Sequence, residues 1–294
     1  MNPATAHGVL APLTQAALMA QQVTLRRHGQ TVLQDIDLNL PQGAVLGLVG
    51  RNGAGKTSLL RCMVGLSLPD SGRCELLGEA AADLSDGARA RLGYVAQSPD
   101  LFDGLSAEQH FRRLAPLYPR WQHRYAVELS VRLQLPLGTP ARRLSLGDQQ
   151  KLSVVLALAH DPDLLILDEP VASLDPITRR DFMRSLFERR ADERPRSVLI
   201  SSHLLADLER VVSHVAFIRG GRLQLCDEWD ALAEHLRLLV GTAHSLPVHT
   251  GPGIVHRQQR HGELRLLVDS RLQPELAALG EPMNLDDMFT ELNP

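Results

Sequence analysis

Gly50-Arg51-Asn52-Gly53-Ala54-Gly55-Lys56-Thr57 is the stretch that decides the fold. Its glycines let backbone N–H groups turn toward a common centre, and its Lys-Thr close brings a cation and a hydroxyl to that same centre. Ala44 to Val49, just ahead, is a short apolar run with the pattern of a buried strand, and Ser58 to Val64 behind it reads as a helix. A strand, a glycine turn and a helix N-terminus together form a cradle for phosphate, because free amides and the helix dipole both favour negative charge there. In such a cradle Lys56 reaches the β- and γ-phosphates of a nucleotide, and the Thr57 hydroxyl ligates Mg²⁺. The expected nucleotide-binding set is Gly50, Arg51, Asn52, Gly53, Ala54, Gly55, Lys56, Thr57 and Ser58.

The next signal outward is Leu164-Leu165-Ile166-Leu167-Asp168-Glu169. Four apolar residues followed by two acids place both carboxylates at the C-terminal mouth of a buried strand, where open α/β sheets bind ligands. Asp168 is suited to hold Mg²⁺, directly or through water, and Glu169 to polarise an attacking water. With the glycine loop, this pair defines a phosphate-loop nucleotide triphosphatase.

The rest of the chain supports an α/β reading. Val23 and Leu25, then Ile36, Leu38 and Leu40, alternate with polar neighbours as antiparallel strands do. Residues 98–143 read as helical, with a capping signal at Ser106 and Gln109 and breaks at Pro116, Pro119, Pro136 and Pro140. Val198 to Ser201 and Val215 to Ile218 read as further buried strands, so strands and helices alternate as in a mainly parallel sheet. Residues 1–18 read as a loose tail, and the composition turns rich in Gly, Pro, Thr and His after about Leu239, as in a linker to a smaller unit.

Composition excludes several classes. The 294 residues are 44% hydrophobic and 22% charged, with a net charge of −3. No global basic field points to nucleic acid. No apolar run approaches the ~18 residues of a membrane span, and no charged leader precedes Arg26. The expected chain is soluble and reaches a membrane only through a partner. Only two of the 31 basic residues are lysines, Lys56 and Lys151. With Gln150 before Lys151, the Asn-Lys-x-Asp base reader of phosphate-loop GTPases cannot occur. Cys62, Cys74 and Cys226 lack framework spacing and read as free thiols. His244, His249, His256 and His261 fit no common ligand spacing and read as solvated loop histidines.

Further motifs carry a resemblance. Leu144-Ser145-Leu146-Gly147-Asp148-Gln149-Gln150, starting 20 residues ahead of Leu164, resembles the signature of ATP-binding-cassette (ABC) ATPases. Gln97 resembles that family's Q-loop glutamine, Ser173-Leu174-Asp175 its D-loop, and His203 its switch histidine. Ser201-Ser202-His203-Leu204-Leu205, the signature and the tail Met283 to Leu292 resemble the ABC-2 type exporter group in particular. The resemblance implies an ABC cassette over 19–239 with a mainly parallel core sheet, an antiparallel β subdomain and a helical subdomain at about 98–160, then a linker and small C-terminal extension over 240–294. It implies ATP and Mg²⁺ as cofactors, with Thr57, Gln97 and Asp168 at the metal and Glu169, His203 and Gln97 in catalysis. It further implies a second cassette, most simply a homodimer, with Leu144, Ser145, Leu146, Gly147 and Asp148 acting across the interface. The implied partner is an integral membrane permease on the cytoplasmic face of the membrane, with no nucleic acid. The alternative class is a soluble ABC ATPase of DNA repair or translation, whose coiled-coil, zinc or second-cassette modules do not occur here.

The chain departs from the family pattern at three places. Leu146 and Asp148 replace Gly and Gln in the signature, and Asp148 puts negative charge where an anion should approach. Ala172 replaces the usual Ser before the D-loop. His28 stands where the family often has an adenine-stacking aromatic, and an imidazole offers less area for that contact.

Overall fold

The computed structural model describes residues 16–171, 176–186, 195–203, 205–242, 252–260 and 262–293. In chain order, strands β1 (Ala16–Arg27), β2 (Gln30–Pro41) and β3 (Val45–Val49) lead through the glycine loop into helix α1 (Lys56–Met63). Strands β4 (Ser71–Leu76) and β5 (Glu79–Ala80), the one-turn α2 (Asp86–Arg89) and β6 (Leu92–Val95) follow. The helical segment holds α3 (Ala107–Leu114), α4 (His123–Arg132) and α5 (Leu146–Ala159). Next come β7 (Leu164–Asp168), α6 (Pro176–Leu186), β8 (Ser197–Ser202), α7 (Leu205–Leu208), β9 (His214–Arg219) and β10 (Arg222–Glu228). The chain ends with α8 (Trp229–His235), β11 (Leu236–Gly241), β12 (Ile254–Arg260), β13 (Glu263–Asp269), α9 (Pro274–Ala277), β14 (Glu281–Pro282) and α10 (Leu285–Leu292).

The central sheet runs β10-β9-β3-β8-β7-β6. Its pairs are parallel except β10 with β9, which are antiparallel. Parallel strands covered on both faces must be apolar throughout, and the Leu164–Leu167 run shows why: all four residues are at most 1% exposed. Burying one such side chain stabilises the fold by about 1.5–3 kcal/mol. A second sheet, β2-β1-β4-β5, is antiparallel, and its β1–β2 turn falls at His28 (φ 50°) and Gly29 (φ 78°), the left-handed pair that suits a tight hairpin. Ser106 and Gln109 form the expected capping box of α3, each side chain bonded to the other's backbone N–H.

The C-terminal residues form a third, antiparallel sheet, β12-β13-β11-β14. Its own small core contains Leu239, Leu264, Leu266, Val268 and Leu276. The elements cross both expected limits: β1 begins at Ala16, inside the expected tail, and β11 runs through residue 239. Strand β12 was not legible as a strand, because Ile-Val-His-Arg-Gln-Gln-Arg is largely polar and lies at the sheet edge. His256 lies in it, half-buried rather than in a solvated loop, and burial holds its imidazole below the usual protonation range. His244, His249 and His261 lie outside the described residues.

Helix α10 does not stay with that third sheet. Leu285, Met288 and Leu292 join the main core beside Leu205, Leu208 and Phe217. Glu291, 3% exposed, ties the helix back to β13 through Arg265, whose Nε and Nη2 reach its carboxylate at 2.6–3.0 Å. The tail thus latches the extension to the main core. All three cysteines are free, and burial pushes the Cys74 thiol up to about 12.

Candidate active site

The glycine loop spans the gap from the C-terminal end of β3 to the first turn of α1. Gly50 has no room for a side chain, since a Cβ there would lie 2.5 Å from the Ile218 carbonyl oxygen. Gly55 caps α1 at φ 108°, a conformation that costs a side-chain-bearing residue dearly. Lys56 begins the helix and is only 6% exposed. Its Nζ donates to the Gly50 carbonyl at 2.6 Å and lies 3.2 Å from Glu169 Oε1. Thr57 and Ser58 follow in the first turn, half-buried, while Arg51, Asn52 and Gly53 are exposed and Ala54 is buried.

Asp168 ends β7 and Glu169 follows in the left-handed region (φ 49°). Strand β8 lies between β7 and β3, so its end forms the floor between acid pair and loop. Ser201, paired in register with Asp168, occupies that floor. Its Oγ donates to Asp168 Oδ1 at 2.7 Å and accepts the Glu169 N–H at 2.9 Å. Asp168 is fully buried, and its Oδ2 has no hydrogen-bond partner among the described residues. Glu169 Oε2 meets His203 Nδ1 at 2.7 Å. Glu169 is therefore held between a lysine and a histidine, with its two oxygens facing different partners.

This floor explains what the motifs alone missed. Ser201 was legible only as part of a resemblance, because a serine ending an apolar run does not reveal its partner. Register supplies the partner: one hydroxyl orients Asp168 and fixes the backbone of Glu169.

The remaining expected residues are spread more widely. Gln97 is exposed two residues beyond the end of β6, the strand beside β7, and so lies at the same mouth of the sheet. Buried Gln150 of α5 donates to the Ala96 carbonyl at 3.4 Å, linking that helix to the Gln97 segment. His28 is exposed at its hairpin tip; β2 beyond it abuts the loop, where a Gly55 Cβ would meet Leu33 Cδ2 at 3.0 Å. Leu144 is buried, and Ser145 is the N-cap of α5, accepting the Asp148 N–H at 3.1 Å. Leu146 is 59% exposed at the third signature position, Gly147 follows, and Asp148 pairs with Lys151 at 3.0 Å. Ser173, Leu174 and Asp175 lie outside the described residues.

A buried lysine at a helix N-terminus, facing an acid pair across one strand, can bind a triphosphate and expose its terminal phosphate to a water held by Glu169. A family model described as "ABC transporter" matches residues 33–172. The chain is 33% identical over 214 residues to the ABC transporter ATP-binding protein YtrB of Bacillus subtilis, covering 73% of each chain. It is 30% identical over 308 aligned positions to the Nod factor export ATP-binding protein I of Cupriavidus pinatubonensis, covering 94% of this chain and 90% of that one. Among solved structures, the ATP-binding cassette MJ0796, dimeric and bound to ADP and Pi, superposes with a TM-score of 0.64 at 21% identity. That match covers 72% of this chain and 98% of the other, and shows a shared fold. The chain belongs to the ABC transporter family, as an ATP-binding ATPase subunit.

Proposed function

We propose that this ATPase powers an exporter of the ABC-2 type, working as a homodimer against a separate membrane permease. The carrying observation is the arrangement Lys56–Glu169–His203 over the Asp168–Ser201 floor. The similarity to a Nod factor export ATP-binding protein over nearly the whole chain supports export. Among the described residues no helix is long and apolar enough to cross a membrane, which fits a permease contributed by another chain at the cytoplasmic face. The helical segment offers that partner a groove of about 580 Å³ lined by Phe111, Arg112, Pro116, His123, Val127 and Leu137.

Each residue has a task. The incoming phosphates take Lys56 away from Glu169, since a multiply charged phosphate competes well for one ammonium. Glu169, released, accepts a hydrogen bond from the attacking water, and His203 on its other oxygen holds it in place. Asp168 suits Mg²⁺: Oδ2 is a buried, unpartnered carboxylate oxygen, and an oxygen donor set of Asp168, the Thr57 hydroxyl and Gln97 matches that ion's preference. When bound, Mg²⁺ supplies charge neutralisation on the phosphates. In the dimer, Ser145 and Gly147 of one copy approach the γ-phosphate held by the other. His28 contacts adenine from the hairpin tip.

Glu169→Gln keeps the shape and removes the charge. ATP binding should survive, turnover should fall by at least ~10²-fold, and an ATP-bound dimer should accumulate. Turnover at the parent rate would rule out Glu169 as the base.

A further inference from the structure

Asp148 is the charged one of the two departures in this signature, and the structure closes it into a short chain of contacts. The Ser145 hydroxyl donates to Asp148 Oδ2 at 2.8 Å, and Lys151 Nζ donates to Asp148 Oδ1 at 3.0 Å. The backbone N–H of Asp148 returns to Ser145 Oγ at 3.1 Å. Lys151 and Asp148 are mostly withdrawn from water, with side chains 13% and 24% exposed.

A carboxylate only accepts, so the single proton of the Ser145 hydroxyl points at Asp148. A hydroxyl turned that way presents lone pairs, not a donor, to an approaching phosphate. To bond the γ-phosphate of a facing nucleotide, Ser145 must take its proton off Asp148. Lys151 sets the cost of that turn. With an ammonium on Oδ1, the carboxylate is charge-compensated and can release one hydrogen bond. Without it, Asp148 would hold the hydroxyl and repel the phosphate at short range in a closing, water-poor interface.

We propose that Asp148 and Lys151 are positioning residues that form an internal counter-ligand for Ser145, displaced only by the γ-phosphate of ATP on the facing copy. This rests on the reading that the signature acts across the dimer. ADP offers no γ-oxygen to take the proton, so the latch stays shut against it. Lys151, one of two lysines in the chain, makes an acidic signature workable.

The test is ATP-dependent dimerisation in the Glu169→Gln background, followed by sedimentation for the parent, Lys151→Met, Lys151→Arg, Asp148→Asn and the Asp148→Asn/Lys151→Met pair. Lys151→Met should raise the ATP concentration at half-dimerisation by about tenfold, and the added Asp148→Asn should restore it to within about twofold of Asp148→Asn alone, a strong coupling between neighbours. Lys151→Arg should stay near the parent, because it keeps the cation. ATP affinity of the Lys151→Met monomer, read at low protein concentration, should not move. With Glu169 restored, the Lys151→Met loss should fall on KM more than on kcat. Parent-like dimerisation of Lys151→Met, or a double variant as poor as Lys151→Met, overturns the proposal alone. A parent that never dimerises with ATP overturns the cross-subunit reading and the proposal with it.

Discussion

The phosphate loop and the signature are both helix N-termini, yet they are built in opposite ways. The loop grows out of the central sheet, and its lysine is 6% exposed, held by a backbone carbonyl and a buried acid. The signature caps α5 at the edge of the helical segment, with Leu146 59% exposed and the polar groups of Ser145, Asp148 and Lys151 turned on one another. One half is set by the core and needs only a ligand. The other is set by a cap and, in the proposed dimer, is completed by a second surface.

The largest effect belongs to the core-built half. Lys56→Ala removes the cation proposed to meet the phosphates, and ATP affinity of the isolated chain should fall by at least ~10²-fold in a direct binding titration. An unchanged affinity would show that the loop is not the nucleotide site. Next, Ser201→Ala would strip the hydroxyl from buried Asp168 Oδ1 and leave the Glu169 N–H with the Ser201 carbonyl alone, at 3.2 Å. Each unsatisfied buried group costs about 1–3 kcal/mol, so the thermal midpoint should drop along with kcat. A loss of kcat without a change in stability would mean that Ser201 acts on the reaction and not on the floor.

Legibility followed the same divide. The loop and the acid pair were readable because chemistry and fold coincide there: glycines, an apolar run and two acids are local in sequence. The floor under them was not, since Ser201 meets Asp168 through strand register across 33 positions. The signature was readable only as a resemblance; that Asp148 is compensated by Lys151 one helical turn on became visible with α5 in place. The C-terminal extension was half legible. The composition change after about Leu239 marked it off, while polar β12 was not legible as a strand, and the docking of α10 onto the cassette left no trace in the sequence beyond the resemblance of the tail.

A smaller effect would sharpen the contrast from that side. Glu291→Gln breaks the bidentate pair with Arg265, far from the nucleotide loop in sequence. The pair is buried at Glu291 and partly exposed at Arg265, so the extension should lose about 1.5–3 kcal/mol of local stability. Proteolysis should then cut faster near α10, while ATP affinity stays within about twofold. A matching loss of ATP affinity would mean that the latch supports the phosphate loop directly.

The central claim is that a complete site takes its two halves from different copies. The direct test mixes Lys56→Ala chains with Ser145→Arg chains and follows nucleotide-dependent pairing. In the mixed dimer one site combines both damaged halves, and the other combines two intact ones. Pairing should persist in the mixture and be lost in either pure variant; equal loss in all three samples would contradict the account.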